Sequence, residues 1–113
     1  MARRGRVKAP AVEYRSADGD VLALRGSMTL GTRQQYRDTL AGSPLSQEDA
    51  WHRSVEFLFE RLAVSWAVAG TDPLTRQKDL LARFRMASQA ERAWIRDVLR
   101  AHVAEKFPEL APP

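Results

Sequence analysis

Apolar residues recur every three or four positions between residues 47 and 69, which is the periodicity of a helix with one buried face. This face comprises Trp51, Val55, Leu58, Phe59, Leu62, Ala63 and Trp66. Ser46 comes before Glu48 and Asp49, so the helix would begin with a capping serine and with carboxylates in its first turn. Gly70 would end it. The pattern therefore predicts one long helix over 47–69 at the centre of the core.

Two further amphipathic helices are predicted towards the C-terminus. The first begins at Pro73, whose ring suits a first helical position, and continues through Thr75 to about residue 84. The second begins after Ser88, and Glu91 three residues later completes the pattern of a capping box. Phe107-Pro108 ends the second helix. The residues expected in the core are Leu80, Leu81 and Phe84 of the first helix and Trp94, Ile95, Val98, Leu99 and Val103 of the second.

Two short runs of strand-favouring or apolar residues precede these helices, at 11–15 and 21–25. Asp18-Gly19 lies between them. An Asp-Gly pair in this position is a strong hairpin signal, because glycine adopts a positive φ without a steric cost. We therefore predict a β-hairpin over 11–27.

A short helix is predicted between the hairpin and the long helix. Thr32 is its expected N-cap, the helix covers 33–41, and Gly42 ends it before a loop. Tyr36 and Leu40 are four residues apart, so both side chains would face the core.

The predicted fold class is mainly α (α+β), with an N-terminal β-hairpin followed by about four helices packed as a small bundle. The 113 residues suffice for one modest core. We expect a basic flexible arm over 1–10, a single globular domain over 11–107 and a C-terminal tail over 108–113.

The formal charge of +4 is concentrated at the N-terminus. Four of the 18 basic residues lie in residues 1–8, where there is no acidic residue, so the rest of the chain has 14 basic and 14 acidic residues. The expected domain is therefore balanced in charge. The arm is either simply solvated or in contact with phosphates or an acidic surface.

The residue types needed for catalysis are scarce. The sequence has no cysteine, and its two histidines, His52 and His102, lack a second ligand at metal-binding spacing. We expect both to be partly buried or on the surface. Glu56 and Glu60 share a helical face, which predicts a solvated acidic face because no third ligand is close in sequence. We predict that the protein is not an enzyme, with no catalytic, cofactor-binding or metal-binding residues.

Neither a membrane span nor a secretion signal is expected. The longest apolar-rich run, 57–69, contains Glu60 and Arg61 and is too short to cross a bilayer. No apolar stretch follows the basic start of the chain. A reducing compartment, the cytoplasm, is the simplest setting for a chain without cysteine.

Arginines form a ridge on the last predicted helix. Arg92, Arg96 and Arg100 are four residues apart, and Arg85 extends the ridge. This pattern indicates either contact with phosphates or an acidic partner, or a solvated face that neighbouring carboxylates screen. Phe57 lies off the main apolar stripe and is a candidate contact in a groove or an oligomer interface.

The last two predicted helices also have a helix-turn-helix appearance, which suggests a DNA-binding regulator as an alternative. The residues available for nucleic acid would be Arg3, Arg4, Arg6, Lys8, Gln89, Arg92 and Arg96. The balanced charge of residues 9–113 argues against a strong DNA footprint.

Several segments follow one another in a familiar order. The sequence GDVLALRGSMTLGTRQQY follows an extended segment, and the long predicted helix ends in VSWAVAG before PLT and two more helices. This order resembles small tail assembly chaperones of actinobacterial tailed phages and related prophages. The matching positions are Trp66, Gly70, Pro73, Leu74 and Thr75, and the resemblance covers roughly residues 11–105. The basic start has no counterpart in the family pattern.

The resemblance implies a protein that binds the long, helical tape-measure protein and keeps it soluble while tail-tube subunits assemble. It would act by protein–protein contact in the host cytoplasm, without a cofactor. The candidate partner-binding residues are Phe57, Trp66, Arg92, Arg96 and Arg100. A structural head–tail or tail component of the virion is a further alternative. The oligomeric state and a longer, frameshifted product, which is common for such genes, stay open.

Overall fold

Three strands and four α-helices follow one another in residues 10–41 and 47–110, which are the residues that the computed structural model describes. They are β1 (Val12–Arg15), β2 (Val21–Leu24), α1 (Leu30–Ala41), α2 (Gln47–Leu62), β3 (Ala63–Ala67), α3 (Gln77–Arg85) and α4 (Gln89–Lys106), followed by a short 3-10 helix, Pro108–Leu110. The mainly α (α+β) class with an N-terminal hairpin is confirmed. The predictions for the arm up to residue 9, for Gly42 and for the Ser46 cap lie outside the described residues.

The predicted hairpin is confirmed. β1 and β2 pair antiparallel with Tyr14 opposite Leu22, and Gly19 in the turn has a φ of 92°, a conformation that favours glycine. Ser16 closes the turn, because its backbone N–H donates to the Asp20 carbonyl oxygen at 3.0 Å. The hairpin therefore forms from local signals.

α1 begins earlier than predicted. The backbone N–H of Thr32 donates to Thr29 Oγ1 at 3.1 Å, so Thr29 caps the helix and Leu30 starts it. Thr29 and Thr32 are three residues apart, which is the cap-to-N3 spacing, and both residue types suit a cap. Tyr36 is buried and Leu40 packs against the core, as predicted.

The prediction of one helix over 47–69 is wrong at its C-terminal end. α2 stops at Leu62, and the next residue begins β3, which pairs antiparallel with β2. β2 lies between β1 and β3, and all its residues after Val21 are buried. The backbone N–H and C=O groups on the side of β2 that faces away from β1 are shielded from water and need hydrogen-bonding partners. β3 supplies these partners.

A turn and an isolated bridge separate β3 from α3. Gly70 has a φ of 81° and lies in the turn that follows β3, so it does not end a helix as predicted. Leu74 then exchanges backbone hydrogen bonds with Trp66 at 2.9 and 3.0 Å. The prediction that Pro73 opens a helix is therefore wrong, because the backbone at Leu74 is extended against β3, and α3 begins at Gln77.

α4 matches its prediction closely. The Ser88 side chain accepts from the Glu91 N–H and the Glu91 side chain accepts from the Ser88 N–H, which is the predicted capping box. Ile95, Val98, Leu99 and Val103 are buried as expected, whereas Trp94 is half-buried. The helix ends at Lys106, just before Phe107-Pro108.

The core lies between the sheet and the four helices, and its largest fully buried side chains come from six elements and Phe107. They are Trp51, Trp66, Tyr36, Phe59, Phe107, Leu22, Leu24, Leu58, Leu62, Leu80, Ile95 and Leu99. The 3-10 turn after Phe107 returns Leu110 to the core, where it is 4% exposed. Within 10–41 and 47–110, no helix has both the length and the apolarity needed to cross a bilayer.

Candidate functional site: a basic cleft between two helices

A cleft of about 440 Å³ opens between α2 and α4, beside the C-terminal end of α3. Its lining residues are His52, Arg53, Val55, Glu56, Phe84, Arg92 and Arg96. Three of the seven are arginines, and arginine stays protonated at any physiological pH. The cleft is therefore predominantly basic.

Helical spacing explains how these side chains come together. On α2, His52 and Glu56 are four residues apart, as are Arg92 and Arg96 on α4, so each pair lies along one helical face. Val55 and Phe84 lie beneath them, and each is only 3% exposed. Both helices are fixed by the core, so the cleft lies on a rigid base.

Arg92 is held in place by the end of α3. Its Nη2 donates to the Arg85 carbonyl oxygen at 2.8 Å and its Nε donates to the Ala87 carbonyl oxygen at 3.3 Å. The guanidinium also lies 5.1 Å from the centre of the Phe84 ring. Carbonyl groups at a helix C-terminus carry partial negative charge, so they stabilise this cation.

The acidic residue of the cleft is already paired. Glu56 accepts two hydrogen bonds from Arg85, at 3.0 and 3.4 Å, across the gap between α2 and α3. These hydrogen bonds hold the pKa of Glu56 below its ordinary value of 4.5. Glu56 is consequently ionised at neutral pH, and its charge is matched by an arginine outside the lining.

Arg53 and Arg96 differ from Arg92. Neither makes an ion pair or a hydrogen bond with another residue of the described ranges, and Arg53 is exposed while Arg96 is half-buried. Arg53 belongs to α2 and Arg96 to α4, so their charges lie on opposite walls. An acidic group entering the cleft would meet two guanidinium groups that have no carboxylate partner in that part of the structure.

The predicted arginine ridge is divided by the fold. Arg92 and Arg96 line the cleft, whereas Arg100 lies 5.3 Å from the centre of the Trp51 ring. Burial raises the Tyr36 pKa to about 12, and the nearby positive charge of Arg100 opposes this rise. Only the first two positions of the ridge therefore belong to the candidate site.

The two aromatic candidates lie elsewhere. Trp66 has no exposed surface, and Arg83 covers it at 5.0 Å from its ring centre. It is a core residue of β3 and is not available to a partner in this conformation. Phe57 is half-buried against the core, and the guanidinium of Arg61 lies 5.1 Å from its ring centre.

Only some of the residues proposed to contact DNA are available at the start of α4. Arg3, Arg4, Arg6 and Lys8 lie outside the described residues. Gln89 is exposed at the start of α4. In the same turn, Glu91 accepts from Arg83 at 2.7 Å and completes the capping box, while Arg92 is turned back onto α3. A recognition helix needs exposed polar side chains at this end, and here most of them contact the protein itself.

His102 is fully buried, which corrects the expectation of a partly buried or surface residue. Its Nε2 lies 2.8 Å from the Arg25 carbonyl oxygen, and its Nδ1 lies 2.7 Å from Tyr14 Oη. A carbonyl oxygen only accepts, so Nε2 carries the proton and Nδ1 accepts from the tyrosine hydroxyl. Burial lowers the pKa of His102, which keeps the ring neutral. His52, by contrast, is exposed.

Two features of the site were missed in the sequence. His52 and Arg53 were not linked to the ridge, because nothing local indicates that α2 and α4 lie side by side. The stacking of arginines on aromatic rings also has no sequence signal, since Arg92 and Phe84 lie on different helices. Across the described ranges, no cluster of three or more histidine, aspartate or glutamate residues is arranged to hold a metal ion.

Comparisons with known proteins found no match: no family model matches the chain, and neither does a curated protein or a solved structure.

Proposed function

We propose that this protein is a phage tail assembly chaperone or adaptor that binds a helical segment of the tape-measure protein in the host cytoplasm, by protein–protein contact. The observation that carries the proposal is the pair Arg53 and Arg96 on opposite walls of the α2–α4 cleft. The class of partner is taken from the order of segments along the chain, which resembles that of tail assembly chaperones.

An amphipathic helix with acidic residues is the partner that this cleft suits. At about 440 Å³ the cleft is too small for a whole helix, but it accommodates side chains from a helix lying across it. Carboxylates of that helix would pair with Arg53 and Arg96. Met86, which is 81% exposed in the turn before α4, is a flexible apolar side chain two residues after Phe84 of the cleft.

The mixed charge of the cleft favours a protein partner over a nucleic acid. Glu56 is ionised there and paired with Arg85, so the cationic positions of the cleft are interrupted by a carboxylate and do not form the continuous basic track that a phosphate backbone needs. A polypeptide presents both signs of charge, so it can match the arginines without facing Glu56 with an anion. The charge balance of residues 9–113 has the same implication.

The same residues favour binding over catalysis. The guanidinium groups of Arg53, Arg92 and Arg96 have hydrogen-bond donors and no acceptor, so they suit the binding of anionic groups. The hydrogen bonds from Arg85 hold Glu56 in its ionised form, which makes it a poor proton donor.

A charge-reversal variant tests the cleft. The full chain is co-expressed with a helical fragment of the tape-measure protein, and the amount of co-purified complex is measured. We expect Arg53→Glu/Arg96→Glu to weaken binding by about tenfold or more, because two attractive contacts become repulsive. Arg37→Glu/Lys78→Glu is the matched control, since it changes the net charge equally at exposed positions outside the cleft.

Four results would contradict the proposal. The wild-type chain fails to retain the tape-measure fragment, or the cleft and control variants weaken binding equally. Micromolar binding to generic duplex DNA with a steep salt dependence, lost on deletion of residues 1–8, would instead indicate the DNA-binding alternative. Detection of the protein in purified virions by mass spectrometry would indicate a structural component.

A further inference from the structure

β1 forms one edge of the three-stranded sheet. The strand order is β1-β2-β3, and within residues 10–41 and 47–110 no strand pairs with the outer side of β1. The opposite edge differs, because Leu74 pairs with Trp66 there. An unpaired edge presents backbone donors and acceptors that are suited to another strand.

The turn of the hairpin shows which residues face this edge. Ser16 donates to the Asp20 carbonyl oxygen, so this pair is hydrogen-bonded. Hydrogen-bonded and non-hydrogen-bonded pairs alternate along an antiparallel ladder, so Tyr14 opposite Leu22 is hydrogen-bonded as well. Glu13 and Arg15 therefore direct their backbone N–H and C=O groups away from β2, towards the open side.

The side chains of the same two residues are opposite in charge and largely exposed, at 60% for Glu13 and 71% for Arg15. They lie on the same face of β1, where Arg15 Nη2 is 3.4 Å from Glu13 Oε1. A strand with a glutamate and an arginine two residues apart is complementary to an antiparallel copy of itself. In the register that places Tyr14 opposite Tyr14, each Glu13 lies opposite an Arg15.

We propose that two copies of this chain associate through their β1 strands, antiparallel and centred on Tyr14. In this register the outward backbone groups of Glu13 meet those of Arg15 from the other copy, so each of the two pairs is a hydrogen-bonded pair. The same positions form two cross-strand ion pairs. The two three-stranded sheets then become one continuous sheet, and the open edge is removed.

Charge exchange tests this register. Sedimentation equilibrium of the full chain over a concentration series measures the dimer dissociation constant. We expect Glu13→Arg alone and Arg15→Glu alone each to weaken dimerisation by about tenfold or more, because like charges then lie opposite each other. The double variant Glu13→Arg/Arg15→Glu restores opposite charges and should dimerise like the wild type. An equimolar mixture of the two single variants should form a heterodimer for the same reason.

A backbone variant tests the hydrogen bonds independently. Glu13→Pro removes an N–H that faces the open side and leaves the bonds to β2 intact, so the fold should persist while the dimer is lost. Far-UV circular dichroism checks the fold of every variant. A wild-type chain that is monomeric at the highest concentration, or a dimer that neither single charge reversal weakens, would overturn the proposal. Either result leaves the cleft hypothesis unaffected, because the cleft and β1 share no residue.

Discussion

At the scale of single residues, several arginine side chains of this molecule cover aromatic rings. Five guanidinium groups of the described ranges lie 5.0–5.4 Å from the centres of aromatic rings. The pairs are Arg33–Phe107, Arg61–Phe57, Arg83–Trp66, Arg92–Phe84 and Arg100–Trp51. Each guanidinium covers one face of a ring and adds an attraction of about 0.5–2 kcal/mol, depending on how dry the contact is. Much of the basic surface thus serves as the outer layer of the core.

The sequence indicates which arginines share a face but not how each is used. Arg92 and Arg96 were placed together correctly, because both lie on α4 at helical spacing. The difference between them depends on contacts across elements: Arg92 binds carbonyl groups at the end of α3, whereas Arg96 faces the cleft. Such contacts are set by tertiary packing, for which a single sequence has no local signal.

The buried His102 should make the stability of the folded domain depend on pH. Burial lowers its pKa below the ordinary 6.5, so as the pH falls the unfolded chain binds this proton before the folded chain does. Between the two pKa values the unfolded state holds more protons, and the free energy of unfolding therefore decreases as the pH falls below 6.5. Above 6.5 the contribution of His102 to stability is complete. Urea unfolding at a series of pH values measures the effect.

His102→Gln is the control for this prediction, because it does not titrate. Its stability should vary less than that of the wild type just below pH 6.5. Glu105 and Lys106 also act on His102, in opposite directions, and both are retained in the variant. The pKa values of Glu56 and Glu91 lie below 4.5, so loss of their ion pairs occurs at lower pH. Parallel curves for the two proteins through pH 6.5 would contradict the prediction.

At the scale of elements, the reliability of prediction depends on where the deciding contacts lie. α4 was predicted correctly because Ser88, Glu91 and Pro108 are all within or next to the helix. β3 was missed because its deciding contact is β2, which is some 40 residues away in the chain. Val64, Trp66 and the alanines around them fit a helical stripe and a short strand equally well. Residues 63–67 form a strand because the backbone groups on the second side of β2 need hydrogen-bonding partners.

Substitutions at Ser65 test the strand assignment of residues 63–67. Ser65 is half-buried and lies opposite Ala23 in the β2–β3 ladder. A β-branched residue suits a strand and alanine suits a helix, so we expect Ser65→Thr to be more stable than Ser65→Ala by about 0.5–1 kcal/mol. Chemical denaturation of both variants measures the difference. Greater stability of the alanine variant would support a continuation of α2 instead.

At the scale of the whole molecule, the end of the described chain closes the core. Phe107 and Leu110 are 1% and 4% exposed, and they come from a segment that the sequence placed at or beyond the edge of the domain. Arg33 of α1 lies 5.4 Å from the Phe107 ring centre and forms an ion pair with Glu109. The first helix and the last turn are therefore joined, although they lie far apart in the sequence.

Truncation after Lys106 should consequently destabilise the whole domain. It removes two buried apolar side chains, each with a burial contribution of about 1.5–3 kcal/mol, from a domain whose total stability is typically about 5–15 kcal/mol. Thermal unfolding followed by circular dichroism measures the loss. Glu109→Ala removes only the partly exposed ion pair with Arg33 and should cost less than about 1 kcal/mol. A truncated chain that melts at the wild-type temperature would exclude this closing role.

The direct passage from α2 into β3 also constrains how the chain can change in length during evolution. Leu62 ends the helix and Ala63 starts the strand, with no connecting residue between them. One residue inserted here would either rotate the α2 face by about 100° or move every β3 side chain to the opposite side of the sheet. Trp66 would then leave the core. Homologous chains should therefore keep a constant spacing from Phe59 to Trp66 and place their insertions and deletions in the exposed turn at 69–73.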